Sequence, residues 1–177
     1  MTKPDVCVEI GVFAGKSLIN TALALKENEH GVVYGIDPWR KEDAVKGIGT
    51  MEDAGYWDTV DLDAVHYDCM RSIWDRGLQE HAVVIRATSR DARFLFGLGI
   101  KPGWSHNHCI DILYIDGGHS EEVSTLDVSI YLQKVRRGGH IWFDDADWAS
   151  TRRATEMLKE SCELLKDYGN CHLYKKL

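Results

Sequence analysis

Short runs of β-branched and aliphatic residues alternate with stretches of helical periodicity along this chain, and no other feature constrains its fold as strongly. The β-branched runs predict strands at residues 6–12, 32–36, 82–86, 110–115 and 140–143. The helical stretches predict helices at residues 17–28, 61–79, 91–98, 120–137 and 151–161. Such alternation is typical of a parallel sheet in an α/β domain. The last segments, 163–166 and 171–176, predict a closing antiparallel hairpin.

Length and composition are those of an ordinary globular domain. The chain has 177 residues, of which 44% are hydrophobic and 28% charged, so we expect a single domain over residues 1–177. No apolar run approaches the ~18 residues of a membrane span. The first residues also lack the apolar core of a signal peptide. The sequence therefore predicts a cytoplasmic protein without a membrane partner.

The net charge and the cysteines indicate which ligands and cross-links to expect. The 28 acidic and 21 basic residues give a net charge of −7, the opposite of the basic surface that duplex nucleic acid requires. We therefore expect no nucleic acid as the main ligand, although a local patch at Arg152-Arg153 that contacts nucleic acid remains an alternative. Five cysteines occur without a C-x-x-C pair, which favours reduced thiols over disulfides or structural zinc.

The turn after the first strand reads Glu9-Ile-Gly11-Val-Phe-Ala-Gly15-Lys-Ser17. A Walker A loop has four residues between its first glycine and the Gly-Lys-Ser, and here there are three. The dinucleotide fingerprint G-x-G-x-x-G also fails. What remains is E-x-G-x-x-x-G, a tight strand-to-helix turn that lets a ligand approach the backbone closely.

Asp37 ends the second strand, 26 residues after Gly11. An acid in that place can accept hydrogen bonds from both ribose hydroxyls of an adenosine. The alternative is an ordinary turn with a surface aspartate. Taken with the glycine loop, in the right strand order, Asp37 predicts a nucleoside-type ligand.

These motifs resemble those of class I S-adenosylmethionine-dependent methyltransferases, in particular small O-methyltransferases of the macrocin type. The resemblance rests on the glycine loop, Gly-Ile-Asp37-Pro-Trp39, Tyr-Ile-Asp116-Gly-Gly-His119-Ser and Phe-Asp144-Asp145. It implies a Rossmann-like, doubly wound α/β fold: a seven-stranded, mostly parallel sheet with a reversed C-terminal hairpin strand. Its implied cofactor contacts are Glu9, Gly11, Gly15 and Ser17 along the methionine part, Asp37 at the ribose, and Trp39 and Ser89 at the adenine.

Three carboxylates follow neighbouring strands of the predicted sheet. Asp116 ends one strand and Asp144-Asp145 end the next, so we expect all three at one edge. Like charges that close repel unless they are protonated or bind a metal, and oxygen ligands alone favour Mg²⁺ or Ca²⁺. The alternative is that Asp144 and Asp145 cap the following loop.

His119 lies three residues after Asp116 and is the predicted catalytic base, with a water-facing helix cap as the alternative. The resemblance then implies metal-assisted methylation of a small-molecule hydroxyl, of a sugar or phenol. A metal-independent methyltransferase and a non-catalytic nucleoside-binding or assembly subunit are the competing hypotheses. From this sequence we expect no counterpart, before the first strand, of the helices that cover the cofactor in many relatives. We therefore expect residues 40–61 to form a lid, or a second subunit of a homo-oligomer to cover the site.

Overall fold

In a computed structural model that describes residues 3–45, 51–95 and 110–177, seven strands form one sheet. The strands are β1 (Val6–Ile10), β2 (Val32–Asp37), β3 (Ala82–Arg86), β4 (Ile110–Ile115), β5 (Val135–Phe143), β6 (Cys162–Asp167) and β7 (His172–Lys176). Their order in the sheet is β3-β2-β1-β4-β5-β7-β6. β1 to β5 pair in parallel, and β7 runs antiparallel to both β5 and β6. The predicted α/β fold with a reversed C-terminal strand is confirmed.

The helices connect these strands in the predicted alternation. They are α1 (Lys16–Glu27), α2 (Lys41–Ala44), α3 (Met51–Thr59), α4 (Leu62–Asp75), α5 (Ser89–Ala92), α6 (Glu121–Tyr131) and α7 (Arg152–Ser161). Among the helices of the described ranges, none has the length and apolar character needed to cross a membrane. The candidate lid at 40–61 contains α2 and α3, and its residues 46–50 lie outside the described ranges.

Two apolar layers pack on opposite faces of the sheet. Val6, Val8 and Ile10 point to the face covered by α6 and α7, whereas Cys7 points to the face covered by α1 and α4. Strands buried on both faces give the near-continuous apolar runs that the sequence shows. The same alternation directs Glu9 toward α1, where the glycine loop begins.

The fourth predicted helix is too long at its C-terminal end. α6 ends at Tyr131, a 3₁₀ turn follows over Leu132–Lys134, and residues 135–139, predicted as the end of the helix and its glycine stop, begin β5. Val135 is fully buried and pairs with Ile110, and Arg136 forms an ion pair with Asp111 of β4. The two glycines therefore accompany an irregular strand register instead of stopping a helix.

Two other helix boundaries differ from the prediction. α4 stops at Asp75, since Gly77 has a left-handed φ of 61°, and not at residue 79. α5 begins at Ser89 instead of residue 91, because the Thr88 hydroxyl accepts the backbone N–H of Asp91 and caps the helix. The predicted end of that helix, residues 96–98, lies outside the described ranges.

Candidate active site

The glycines of the loop after β1 are required by close neighbours. Gly11 and Gly15 have left-handed φ values of 85° and 80°. A Cβ atom on Gly11 would lie 2.0 Å from the carbonyl oxygen of Asp116, and one on Gly15 would lie 2.6 Å from Cys69 Sγ. Any side chain at Gly11 would thus collide with the end of β4. The loop and the end of β4 are therefore in direct contact.

Asp37 shapes this loop from the end of β2. Its Oδ2 accepts the backbone N–H groups of Val12 at 3.0 Å and Phe13 at 2.9 Å, and its Oδ1 accepts that of Trp39 at 2.7 Å. Phe13 and Trp39 both have left-handed backbones, with φ of 47° and 44°. Such a conformation costs free energy in a non-glycine residue and clusters at functional sites. One carboxylate thus holds two strained residues in place.

Trp39 is buried and braces the same loop. Its indole Nε1 donates to the carbonyl oxygen of Phe13 at 3.0 Å, and its ring lies 4.6 Å from that of His66. Only 3% of Trp39 is exposed, so its observed contacts are with the protein. The contact with adenine that the resemblance implies stays a prediction.

Glu9 is a buried carboxyl at the end of β1. Ser17 Oγ donates to Glu9 Oε1 at 2.7 Å, and the backbone N–H of Leu18 also donates to this carboxyl. Gly15, the N-cap of α1, has no side chain to cap the helix, and Glu9 takes that place. Burial raises the pKa of Glu9 to about 7; the two hydrogen bonds act in the opposite direction, and the charge of Asp37 adds to the rise.

Ser89 is held by α6 through a residue that the sequence analysis missed. Ser89 Oγ donates to Asp127 Oδ1, and the Tyr131 hydroxyl donates to the Ser89 carbonyl oxygen at 2.8 Å. Asp127 is only 1% exposed, and this burial raises its pKa to about 7. The sequence does contain a signal for Asp127, because this acid lies at helical spacing among the residues of the buried face of α6. The buried residues of that face are Ser124, Asp127, Val128 and Tyr131.

Asp116 and Asp144 meet at the ends of β4 and β5. Their side chains lie within hydrogen-bonding distance of each other; the Tyr114 hydroxyl donates to Asp116, and the Cys171 thiol donates to Asp144. Burial, followed by the charge of Asp144, raises the pKa of Asp116. Two carboxyl groups in contact share a proton or bind a cation. The pair therefore concentrates negative charge beside the glycine loop.

Asp145, the residue after Asp144, lies beside His119. Its Oδ2 lies 3.2 Å from His119 Nε2, and the Trp148 ring lies 5.2 Å from the imidazole. Burial raises the pKa of Asp145, and His119 opposes the rise. Asp116 thus has Asp144 as its nearest acidic partner and Asp145 lies beside His119, while a metal site formed by all three carboxylates stays a prediction. Within the ranges that the structure describes, no three His, Cys, Asp or Glu side chains are arranged to hold a metal ion.

Trp57 of the candidate lid packs against the glycine loop. The Phe13 ring makes an edge-to-face contact with Trp57 at 5.6 Å, and Lys41 of α2 forms an ion pair with Asp58 of α3. A contact with the loop is what a lid requires, and closure over a ligand stays a prediction.

A cavity of about 410 Å³ lies where β2 and β3 end. Its lining comes from the residues that follow these strands: Pro38, Arg40, Arg86, Ala87, Thr88 and Asp91. Both arginines have acidic partners, Asp43 for Arg40 and Asp63 for Arg86. The cavity provides room beside Asp37, at the end of the strands where α/β sheets bind their ligands.

Comparison with solved structures identifies the same fold elsewhere. The O-methyltransferase NovP superposes with a TM-score of 0.69 at 16% identity, over 98% of this chain and 72% of that one. The cofactor-bound protein Rv0187 from MTB gives a TM-score of 0.64 at 16% identity, over 98% and 73%. CalS11, a TDP-rhamnose 3'-O-methyltransferase of calicheamicin biosynthesis, gives 0.59 at 18% identity, over 97% and 71%. At these identities the likeness shows the fold.

Sequence comparison finds the same class of protein. Tricin synthase 1 of Oryza sativa subsp. japonica is 32% identical over 149 residues, which are 81% of this chain and 46% of that protein. The chain thus spans about half the length of this curated relative. A family model described as "Methyltransferase domain" matches residues 8–146, from β1 to just beyond β5, and so includes every predicted site residue. Because this match covers well over half of the chain, the protein belongs to the methyltransferase domain family.

Proposed function

We propose that this protein transfers the methyl group of S-adenosylmethionine to a hydroxyl of a small molecule, of the sugar or phenol type. The observation that carries the proposal is the contact between Gly11 and the carbonyl of Asp116. It brings the loop held by Asp37 against the Asp116–Asp144 pair. A nucleoside-binding arrangement and a group of acids and bases therefore share one edge of the sheet, which is what transfer from a bound cofactor to an acceptor requires.

The residues around the glycine loop suit the proposed cofactor. Gly11 and Gly15 leave the backbone open to a ligand, and Glu9 with Ser17 lies where the methionine part would run. Asp37 Oδ1 accepts one observed N–H, and a carboxylate oxygen can accept a second donor such as a ribose hydroxyl. When bound, S-adenosylmethionine supplies an activated methyl group on a sulfonium. The cofactor-bound structural relative supports this part of the proposal.

His119 is the proposed base that removes the proton of the acceptor hydroxyl. His119 Nε2 lies 3.2 Å from Asp145 Oδ2, so an ionised Asp145 favours the tautomer of the neutral imidazole that has its proton on Nε2 and its lone pair on Nδ1. The contact with Trp148 restricts the ring further. Asp145 is thus proposed as the residue that orients the base, in place of the metal ligand that the sequence analysis expected.

Asp116 and Asp144 are the proposed ligands of Mg²⁺ or Ca²⁺. Magnesium is commonly held by one or two carboxylates with the remaining positions filled by water and substrate oxygens, so two facing carboxyl groups fit it. When bound there, the ion supplies Lewis-acid polarisation of an acceptor oxygen. The neighbouring Tyr114 hydroxyl stabilises the charged form of Asp116.

A metal-independent methyltransferase is the second candidate, and one observation favours it. Asp116 and Asp144 are close enough to share a proton, and Asp145 is occupied by His119. In that case the pair shapes the acceptor pocket and His119 alone removes the proton.

The acceptor class rests on the relatives. CalS11 is named a TDP-rhamnose 3'-O-methyltransferase and NovP an O-methyltransferase, which favours a hydroxyl acceptor. A cytoplasmic location, the lack of nucleic-acid and membrane partners, and a homo-oligomer that covers the site are further parts of the proposal.

Two measurements test the proposed function. Calorimetry should show binding of S-adenosylhomocysteine but not of ATP or NAD, and comparable affinity for ATP would overturn the cofactor assignment. Methyl transfer from labelled S-adenosylmethionine to a panel of sugars and phenols should follow, and it should fall after treatment with EDTA. Full activity in EDTA would select the metal-independent enzyme, and cofactor binding without transfer to any acceptor would select a non-catalytic protein.

A further inference from the structure

Asp127 is an acid where a helix would ordinarily place an apolar residue. It lies in the middle of α6 on the face that packs against the sheet, between the buried residues Ser124 and Val128. Burying a carboxyl group costs free energy unless hydrogen bonds compensate it. A residue with only 1% of its surface exposed therefore requires an account of what it binds.

Two side chains of α6 hold the same residue of another segment. Asp127 accepts the hydroxyl of Ser89, and Tyr131, one turn later, donates to the carbonyl oxygen of Ser89 at 2.8 Å. Ser89 is the first residue of α5 and follows the end of β3. Side chain and backbone of this residue are thus both fixed from α6.

The other oxygen of Asp127 faces the turn after β4. A Cβ atom on Gly117 would lie 3.2 Å from Asp127 Oδ2, so the carboxyl group packs directly on the backbone of that turn. Gly117 follows Asp116 and precedes His119 by two residues. One carboxyl group therefore touches the segment after β3 and the turn that carries the proposed catalytic residues.

The two segments that Asp127 contacts follow strands that are not neighbours in the sheet. β2 and β1 lie between β3 and β4, so the ends of β3 and β4 are about 14 Å apart at the usual strand spacing. Asp37 and the glycine loop, which follow the two intervening strands, lie between them. The segments after β3 and β4 are the two walls of this crevice, and they converge on Asp127 of α6, which contacts both.

We propose that Asp127 is a positioning residue that ties the two walls of the crevice together and fixes the spacing between them. The inference rests on the proposed function, because the crevice is the place assigned to the nucleoside part of the cofactor. In this view Ser89 is held at the correct distance from Asp37 by α6, and loss of Asp127 releases Ser89 and weakens cofactor binding. Since Ser89 transmits the effect, the two residues act as one unit.

The test is a double-mutant cycle on the dissociation constant of S-adenosylhomocysteine, measured by calorimetry well below each variant's melting temperature. Asp127→Ala should weaken binding by up to about tenfold, the loss of the one cofactor contact proposed for Ser89. Combining it with Ser89→Ala should weaken binding no further than the more impaired single variant. Asp127→Asn, which keeps an acceptor oxygen, should recover affinity to within about threefold of the wild type.

Asp111→Asn is the matched control. Asp111 is also a mostly buried aspartate, with Arg136 and two backbone N–H groups as partners, but it lies at the opposite end of β4. This variant should lower the melting temperature and leave cofactor affinity unchanged. If Asp127→Ala lowers only the melting temperature in the same way, Asp127 is purely structural and the inference is wrong.

Two further outcomes keep the inference testable. If Asp127→Ala does not fold, Asp127→Asn takes its place in the cycle: a loss of up to threefold that disappears in the Ser89→Ala background supports the tie, and a loss that persists there overturns it. If the wild-type protein itself does not bind S-adenosylhomocysteine, the proposed function fails. Binding by the wild type with equal binding by Asp127→Ala overturns the positioning role alone.

Discussion

The β1–β2 side and the β4–β5 side of the candidate active site surround their carboxyl groups differently. At the ends of β1 and β2, Glu9 and Asp37 accept hydrogen bonds from backbone N–H groups and a serine hydroxyl. At the ends of β4 and β5, Asp116 and Asp144 face each other. The first arrangement stabilises a loop conformation, whereas the second leaves negative charge that a proton or a cation must offset. We therefore propose that the first arrangement binds the cofactor and the second takes part in the reaction.

The difference follows from local backbone geometry. The loop after β1 turns through left-handed residues, which expose successive N–H groups toward one carboxylate. The turns after β4 and β5 direct side chains from two adjacent strands to the same place, so the acids meet each other. We therefore expect substitutions on the β1–β2 side to change cofactor affinity and substitutions on the β4–β5 side to change turnover.

The largest effect should come from His119→Ala. Removal of a positioned base should lower kcat by roughly 10²–10⁴ and leave affinity for S-adenosylhomocysteine nearly intact. His30→Ala is the control, because His30 is an exposed histidine that pairs with Asp5 near the start of β1. A loss of less than about tenfold in steady-state turnover would show that His119 is not the base. The expectation that substitutions on the β4–β5 side change turnover would then be wrong for this residue.

On the binding side, Asp37→Ala should weaken S-adenosylhomocysteine binding by about 1.5–3 kcal/mol, the contribution of hydrogen bonds to a charged group. The variant also frees Phe13 and Trp39 from their left-handed conformations, so its melting temperature should fall. Asp68→Ala is the control, since Asp68 is exposed on α4 and pairs with Arg71. Unchanged affinity by calorimetry would show that Asp37 does not bind the ribose of the cofactor.

Much of this comparison could be predicted from sequence because its signals are local. The Glu9-to-Ser17 motif, Asp37 and the polar ends of β4 and β5 each lie within a few residues of a recognisable strand. The division of the acids could not be predicted, because it depends on the left-handed backbone of Asp145, with φ of 47°. The helical spacing of α6 indicates that Asp127 is buried, but its partners Ser89 and Gly117 could not be predicted because they follow β3 and β4, which are not adjacent in the sheet.

The extent of β5 shows the same limit. Lys134, Arg136 and Arg137 fit the basic last turn of a helix by local criteria. The structure places these residues in a strand, in which Val135 is fully buried and pairs with Ile110 of β4, and Arg136 forms an ion pair with Asp111. Tertiary packing and strand pairing thus override a local helical pattern.

A metal titration sharpens the comparison on the acidic side. Mg²⁺ at ten times its dissociation constant should stabilise the protein by about 1.4 kcal/mol, measured as a rise in melting temperature. Asp144→Asn should abolish the rise, whereas Asp145→Asn should retain it, because Asp145 pairs with His119 and not with Asp116. Equal loss in both variants would restore the three-carboxylate site, and no rise in the wild type would exclude magnesium from the pair.

The smallest effect concerns Glu9 and the dependence of stability on pH. Its folded-state pKa is about 7, above the ordinary value of 4.5, mainly because the group is buried. The folded protein therefore binds a proton more tightly than the unfolded chain does. The resulting stability is fully present below about pH 4.5 and is lost as the pH rises through 7. Between pH 6 and 7 the loss should be about 1 kcal/mol, or a few degrees in melting temperature.

Glu9→Gln keeps an acceptor oxygen for Ser17 but cannot ionise. Calorimetric scans across this pH range should therefore show a shallower decline of its melting temperature than that of the wild type. Glu121→Gln, an exposed acid in the first turn of α6, is the control that should leave the slope unchanged. An unchanged slope in Glu9→Gln would mean that Glu9 is ionised in the folded protein despite its burial. In that case the hydrogen bonds from Ser17 and Leu18 outweigh desolvation, and the charge of Glu9 on the β1–β2 side of the candidate active site is compensated by these donors.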